Sequence, residues 1–244
     1  MSEQSDTVAA EQKGSIPAGP NMVSPPSDRF AAALRGFGPP GVLAIVLILG
    51  GNVLFVPLSA FLVLIWVRLS RTPWREIGYA RPQNWLVSIL TGITVGVLFK
   101  LVMKAVVMPL LDAPPINPAY HFLAGNTAAL PAMLYLILVG AGFGEETLYR
   151  GWMFERLGKL LGQSTVAKAA IVLMTSTWFA LAHYAFQGMP GVEQAFIVGL
   201  VFGAIFAARG SLFMLMIAHA SFDLTALALI FWDVEATVAH LIFE

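Results

Sequence analysis

Cysteine is absent from this 244-residue chain, which excludes disulfides, thiolate metal sites, Fe–S clusters and cysteine nucleophiles. Charge is scarce as well. Only 11% of the residues are Asp, Glu, Lys or Arg, where soluble domains carry about 25%. The formal net charge is zero, so no electrostatic footprint points to nucleic acid or to an acidic substrate. The chain lacks the basic start and apolar core of a secretion signal. No soluble domain interrupts it, and no internal repeat of the transporter kind is visible. What remains is apolar: 58% of the residues are hydrophobic, in runs that approach or exceed the ~20 residues needed to cross ~30 Å of hydrocarbon. The composition predicts an all-α, polytopic membrane helix bundle.

Residues 1–35, rich in Ser, Pro, Gly, Glu and Gln, read as a disordered N-terminal tail, and 36–244 as the membrane-embedded domain. A first apolar run at about 39–67 is broken by Gly50, Gly51, Asn52 and Pro57. It is long for one span and short for two, and is expected to be one tilted or kinked helix. Further spans are expected at about 85–109, 131–153, 166–186, 192–208 and 211–232, six in all. Nine basic residues (Arg68, Arg71, Arg75, Arg81, Arg150, Arg156, Lys159, Lys168 and Arg209) fall on one side of that topology, the cytoplasmic one. Lys13, Arg29, Arg35, Lys100 and Lys104 then fall outside, with both termini. Arg29 and Arg35 weaken the bias because they precede the first span.

Against this background, "GFGEETLYRG" (142–151) places two adjacent carboxylates and an arginine inside the third span. On a helix Glu146 and Arg150 are i and i+4, acid before base, the favoured order for a pair. Glu145 points about 100° round the helix and is left for another partner. "WFALAHYAF" sets His183 in the fourth span, and "LMIAHASFDL" sets His219 and Asp223, again i and i+4, in the last. A bundle buries such groups inward and against one another, so Glu145, His183, His219 and Asp223 are expected to converge. Depth tests this. At ~1.5 Å per residue, Glu145 and His219 lie ~21 and ~19 Å from the outer end of their spans, but His183 only ~5 Å. Convergence therefore requires "AFQGMPGVE" to fold back within the protein, which irregular backbone can do where protein or a water-filled cavity surrounds it. Lys100 and Lys104 share one helical face and either snorkel outward or line the bundle. Asn52 is expected to make a helix-packing hydrogen bond, and His121 and His240 to be solvated. Gly92-x-x-x-Gly96 and Gly199-x-x-x-Gly203 permit close helix packing.

These residues resemble a known family. "EETLYR" fits an EExxxR motif, "FALAH" an FxxxH motif and "HASFD" an HxxxN/D motif, in order and on separate spans. They are the signatures of the CPBP intramembrane proteases, which include the type 2 CAAX prenyl endopeptidases, the Abi proteins and bacteriocin-immunity proteins. "TPWREIGY" is similar to the lead-in that precedes these motifs. The resemblance covers about 70–230. It implies an all-α bundle with a membrane-embedded cavity, in which Glu145 and His183 activate the attacking water. His219 and Asp223 would stabilise the oxyanion or bind metal, and Glu146 and Arg150 would support the site. Two His and two carboxylates (Glu145, His183, His219, Asp223) are also a credible set for Zn²⁺ or another divalent ion. The family often has Asn where this chain has Asp223. An ionised carboxylate repels an oxyanion, so Asp223 must be protonated, hydrogen-bonded to His219 or a metal ligand, and the last option leans the expectation towards metal assistance.

The expected function is an intramembrane endopeptidase that cuts a peptide bond at or near the cytoplasmic membrane face. Its partners would be a peptide or membrane-protein substrate and the lipid bilayer. The rival is a non-catalytic scaffold, immunity protein or small transporter with a structural polar cluster. The Pro/Ser-rich tail and compact length point to a bacterial cytoplasmic membrane.

Overall fold

A computed structural model describes residues 26–243. The first 25 residues of the expected tail, Lys13 among them, lie outside the described residues. Residues 26–35, assigned to that tail from sequence, are instead helical: α1 (Pro26–Arg35) buries Ala31 and Leu34. α2 (Pro39–Leu54) starts on a proline at its first position, where the missing N–H costs nothing. It stops at Phe55, whose backbone is extended, and α3 (Val56–Ser70) follows at once with Pro57 in its first turn.

Here the sequence-based expectation fails. The run at 39–67 is not one kinked helix but a hairpin of two antiparallel helices. Trp66 Nε1 in α3 donates to the carbonyl of Leu34 at 3.1 Å, and Arg71, just beyond α3, pairs with Asp28. Both ends of the hairpin therefore sit side by side. The length of α2 explains the turn: 16 residues rise only ~24 Å, less than the hydrocarbon thickness. The hairpin also revises the charge map. The Arg156 guanidinium donates to the Arg35 carbonyl at 2.8 Å, so Arg29 and Arg35 join the arginine-rich face instead of opposing it.

Among the described residues five helices are long and apolar enough to cross a membrane, six if the bent pair α1–α2, angled at 58°, is counted as one span. They are α4 (Trp85–Leu110), α5 (Thr127–Leu161), α6 (Thr165–Ala182), α7 (Tyr184–Arg209) and α8 (Phe213–Phe231). A short α9 (Glu235–Ala239) closes the described chain. The chain is an integral membrane protein. Asn84 caps α4 by accepting from the Val87 N–H at 3.1 Å, and Ser164 caps α6 through Ala167 at 3.1 Å. α4 and α8 touch backbone to backbone: a Cβ on Gly96 would lie 2.2 Å from the Ala218 carbonyl oxygen. The segment before α4 is tied down as well. The Gly78 carbonyl accepts from Leu212 N–H at 2.9 Å, and the Tyr79 and Thr147 hydroxyls share a 2.7 Å hydrogen bond. Burial pushes the Tyr79 phenol above its ordinary pKa, so it stays protonated.

Candidate active site

The centre of α5, Leu136–Trp152, is wound as a π-helix, an i→i+5 geometry rare in proteins and frequent at functional sites. It carries Glu145, Glu146 and Arg150. Arg150 Nη1 donates to Glu146 Oε1 at 2.9 Å with both groups buried, the pairing expected from their spacing. The guanidinium also lies over the Phe179 ring, 4.5 Å from its centre. Such enclosure matters because a buried charge without a partner costs several kcal/mol.

Glu146 holds a second group that local helix spacing cannot reveal. Its Oε1 also accepts from His219 Nδ1 of α8 at 2.6 Å. A carboxylate anchoring one ring nitrogen fixes the tautomer and orientation of the imidazole. The other nitrogen, Nε2, then faces Glu145 Oε2 at 3.6 Å and Asp223 Oδ2 at 3.8 Å. Neither distance is a direct hydrogen bond, so the Asp223–His219 bond, one of the three options for Asp223, is not formed. Glu145 has no hydrogen bond of its own among the described residues and is partly exposed, at 16% of its side chain. Of the two EE carboxylates, Glu146 is therefore the hydrogen-bonded one, while Glu145 lies only at ion-pair distance from His219.

His183 caps the end of α6. Its Nδ1 lies 2.8 Å from the Phe179 carbonyl; a carbonyl can only accept, so Nδ1 carries the proton and Nε2 is an acceptor. The ring lines the same cavity as Glu145, His219 and Asp223. The connection expected to fold back within the protein is instead helical and leaves Tyr184, Phe186 and Met189 exposed. α7 breaks at Gly188, with φ 64° and ψ −160°, a conformation suited to glycine. The turn before the break brings Gln187 onto the cavity wall, where its amide donates to the Tyr120 hydroxyl at 3.4 Å.

The cavity has a volume of about 320 Å³. It runs from the Glu145–His219 pair away from the arginine-rich face, past Phe55 and Pro57 at the hairpin tip, to Asn117 and Glu235. Tyr120, in the loop before α5, lines it too. Burial, reinforced by the Asp223 and Glu145 carboxylates, pushes its phenol up to about 12, so it remains a hydrogen-bond donor near neutrality.

Among the described residues, no group of three or more His, Asp and Glu side chains is arranged to hold a metal ion. The set Glu145, His183, His219 and Asp223 shares one cavity without forming a ligand cage. Asn52 does make its packing bond, to the Tyr149 hydroxyl at 3.1 Å, and His121 and His240 are exposed. Lys100 and Lys104 do not snorkel; both are buried. Sequence reasoning left Lys100 open between snorkelling and lining the bundle, and missed Tyr120 and Gln187. Two lysines one turn apart in an otherwise apolar span were the available signal for Lys100.

Residues 127–225 match the family model described as type II CAAX prenyl endopeptidase Rce1-like. The matched segment begins at α5, ends within α8 and contains all three motifs. The resemblance to this class of membrane protease is thereby borne out, while the "TPWREIGY" lead-in precedes the match. No curated protein and no solved structure matches the chain.

Proposed function

We propose that the protein is an intramembrane endopeptidase that hydrolyses a peptide bond of a membrane-associated substrate, with Glu145 as the base. One observation carries this reading: Glu145, without a hydrogen bond of its own, faces a cavity beside the free nitrogen of an imidazole already oriented by Glu146. A purely structural cluster would close hydrogen bonds onto that carboxylate.

In this mechanism Glu145 accepts a proton from a water that also donates to His183 Nε2. The water oxygen attacks the scissile carbonyl carbon and the C=O electron pair moves onto oxygen. His219, with both nitrogens protonated, donates Nδ1–H to Glu146 and Nε2–H to the oxyanion. Asp223 balances the imidazolium charge. The proton on Glu145 then passes to the amide nitrogen as the C–N bond breaks, releasing an amine and a carboxylic acid. The CAAX-type activity in the matched family's name agrees with this chemistry, and peptides or membrane proteins are the substrate class it suits.

The test is turnover of N-acylated, internally quenched peptides by purified protein in lipid vesicles. Wild type is expected to cleave and Glu145→Gln to be inactive at equal protein level. Equal turnover by both, or none by wild type across such a library, would return the cluster to a structural role. A chelator is expected to leave the rate unchanged; a loss restored by added Zn²⁺ would overturn the metal-free mechanism.

A further inference from the structure

Lys100 and Lys104 lie one turn apart on α4, face the interior and are both more than nine-tenths buried. Their surroundings differ in kind. Lys104 Nζ meets Glu235 Oε1 at 2.9 Å, and the second oxygen of Glu235 accepts from Asn117 N–H at 3.3 Å. That charge is matched and its counter-ion is itself held. Lys100 Nζ donates instead to a neutral acceptor, Gln194 Oε1, at 2.9 Å, and lies 4.8 Å from the centre of the Phe222 ring. No carboxylate among the described residues forms an ion pair with it. An ammonium carries three donors, of which Gln194 takes one. An amide and a ring face stabilise a desolvated cation far less than an anion would. Both Lys100 and Gln194 line the cavity that holds Glu145, His219 and Asp223.

We propose that Lys100, steadied by Gln194, is the anion-binding subsite of this cavity and receives a carboxylate of the peptide substrate. The inference rests on the protease reading and adds a specificity element to it. The anion that completes the lysine's environment arrives with the substrate, either as its chain terminus or as an Asp or Glu side chain near the scissile bond. Asp223 and Glu235 act on the ammonium through space, but among the described residues neither forms an ion pair with it, so the lysine's remaining donors stay available.

The experiment uses matched N-acylated peptides in phosphatidylcholine vesicles, which carry no net lipid charge. One pair differs only in a free-acid or amidated C-terminus; the other has Asp or Asn beside the cleavage site. Wild type is expected to prefer the carboxylate form of one pair by about 10- to 100-fold in kcat/KM, mainly through KM, the scale of a hydrogen bond to a charged group. The pair that shows the preference identifies the source of the carboxylate. Lys100→Gln should bring that ratio close to one, and Lys100→Arg should keep most of it. A lysine that only tuned Asp223 or supported the fold would slow both forms alike and leave the ratio unchanged, which would overturn the proposal. The same peptides titrated against Glu145→Gln protein separate the two readings. Tighter binding of the carboxylate form, lost when Lys100→Gln is added, supports the subsite even if turnover is absent. Equal binding of the two forms, or none, defeats it.

Discussion

Around Glu145 the side towards Glu146 and Arg150 is packed solid and the other side opens on the cavity; a separate cavity of about 390 Å³ lies further out on the arginine-rich face, lined by Arg75, Glu76, Lys159 and Lys168. The solid half holds Glu146 and Arg150 with Phe179 and Phe202, all almost wholly buried, and every carboxylate there has a cation against it. The hollow half holds Glu145, Asp223, His183 and Lys100 around the cavity, each with polar capacity to spare. The two neighbouring glutamates straddle this boundary. Chemistry needs groups that are both fixed and available, and here the packed half supplies the fixing while the cavity supplies the availability.

Removing the solid half's central cation should have the largest effect. Arg150→Met leaves the Glu146 carboxylate buried opposite His219 alone, and is expected to cost about 3–5 kcal/mol and to abolish turnover with it. Thermal unfolding in detergent measures this; a melting midpoint close to wild type would show that the pair is not what holds this half together. Glu145→Gln probes the hollow half. Turnover should fall by roughly 10²–10⁴-fold with the melting midpoint unchanged, and a joint loss of stability would erase the contrast between the two carboxylates. Next comes the α4–α8 seam that carries Lys100 past Asp223. Gly96→Val drives a side chain into the Ala218 carbonyl and should destabilise by about 1–3 kcal/mol, checked by the same melt. The smallest change is Asn52→Ala, which frees the hairpin tip from Tyr149 at a cost of about 1 kcal/mol and should leave turnover near wild type.

Much of this was legible in the sequence, for reasons that can be named. Spans read at 85–109 and 211–232 are found as Trp85–Leu110 and Phe213–Phe231, because hydrocarbon thickness dictates helix length. The Glu146–Arg150 pair followed from helix spacing alone. The hairpin did not, since an apolar run interrupted by glycine and proline has the same composition whether it kinks or turns back. The contacts that decide it, Trp66 to Leu34 and Arg71 to Asp28, join residues far apart in sequence. The grip of Glu146 on His219 was hidden in the same way: spacing within one helix identifies Arg150, but an α8 partner emerges only when the helices are packed. The expected metal set is a different case: the residue types suit a divalent ion, and among the described residues no three or more of them are grouped to hold one.

The turn at Phe55 has one more consequence. With α2 and α3 returning to the face they left, the described residues hold five helices long enough for a full crossing, an odd number. On that count residues 28–35 and 235–243 are expected in different aqueous compartments, whichever way the bundle is inserted. A reporter enzyme active in only one compartment should light up when fused near one end and stay dark near the other, and removing the α2–α3 segment should leave that parity untouched.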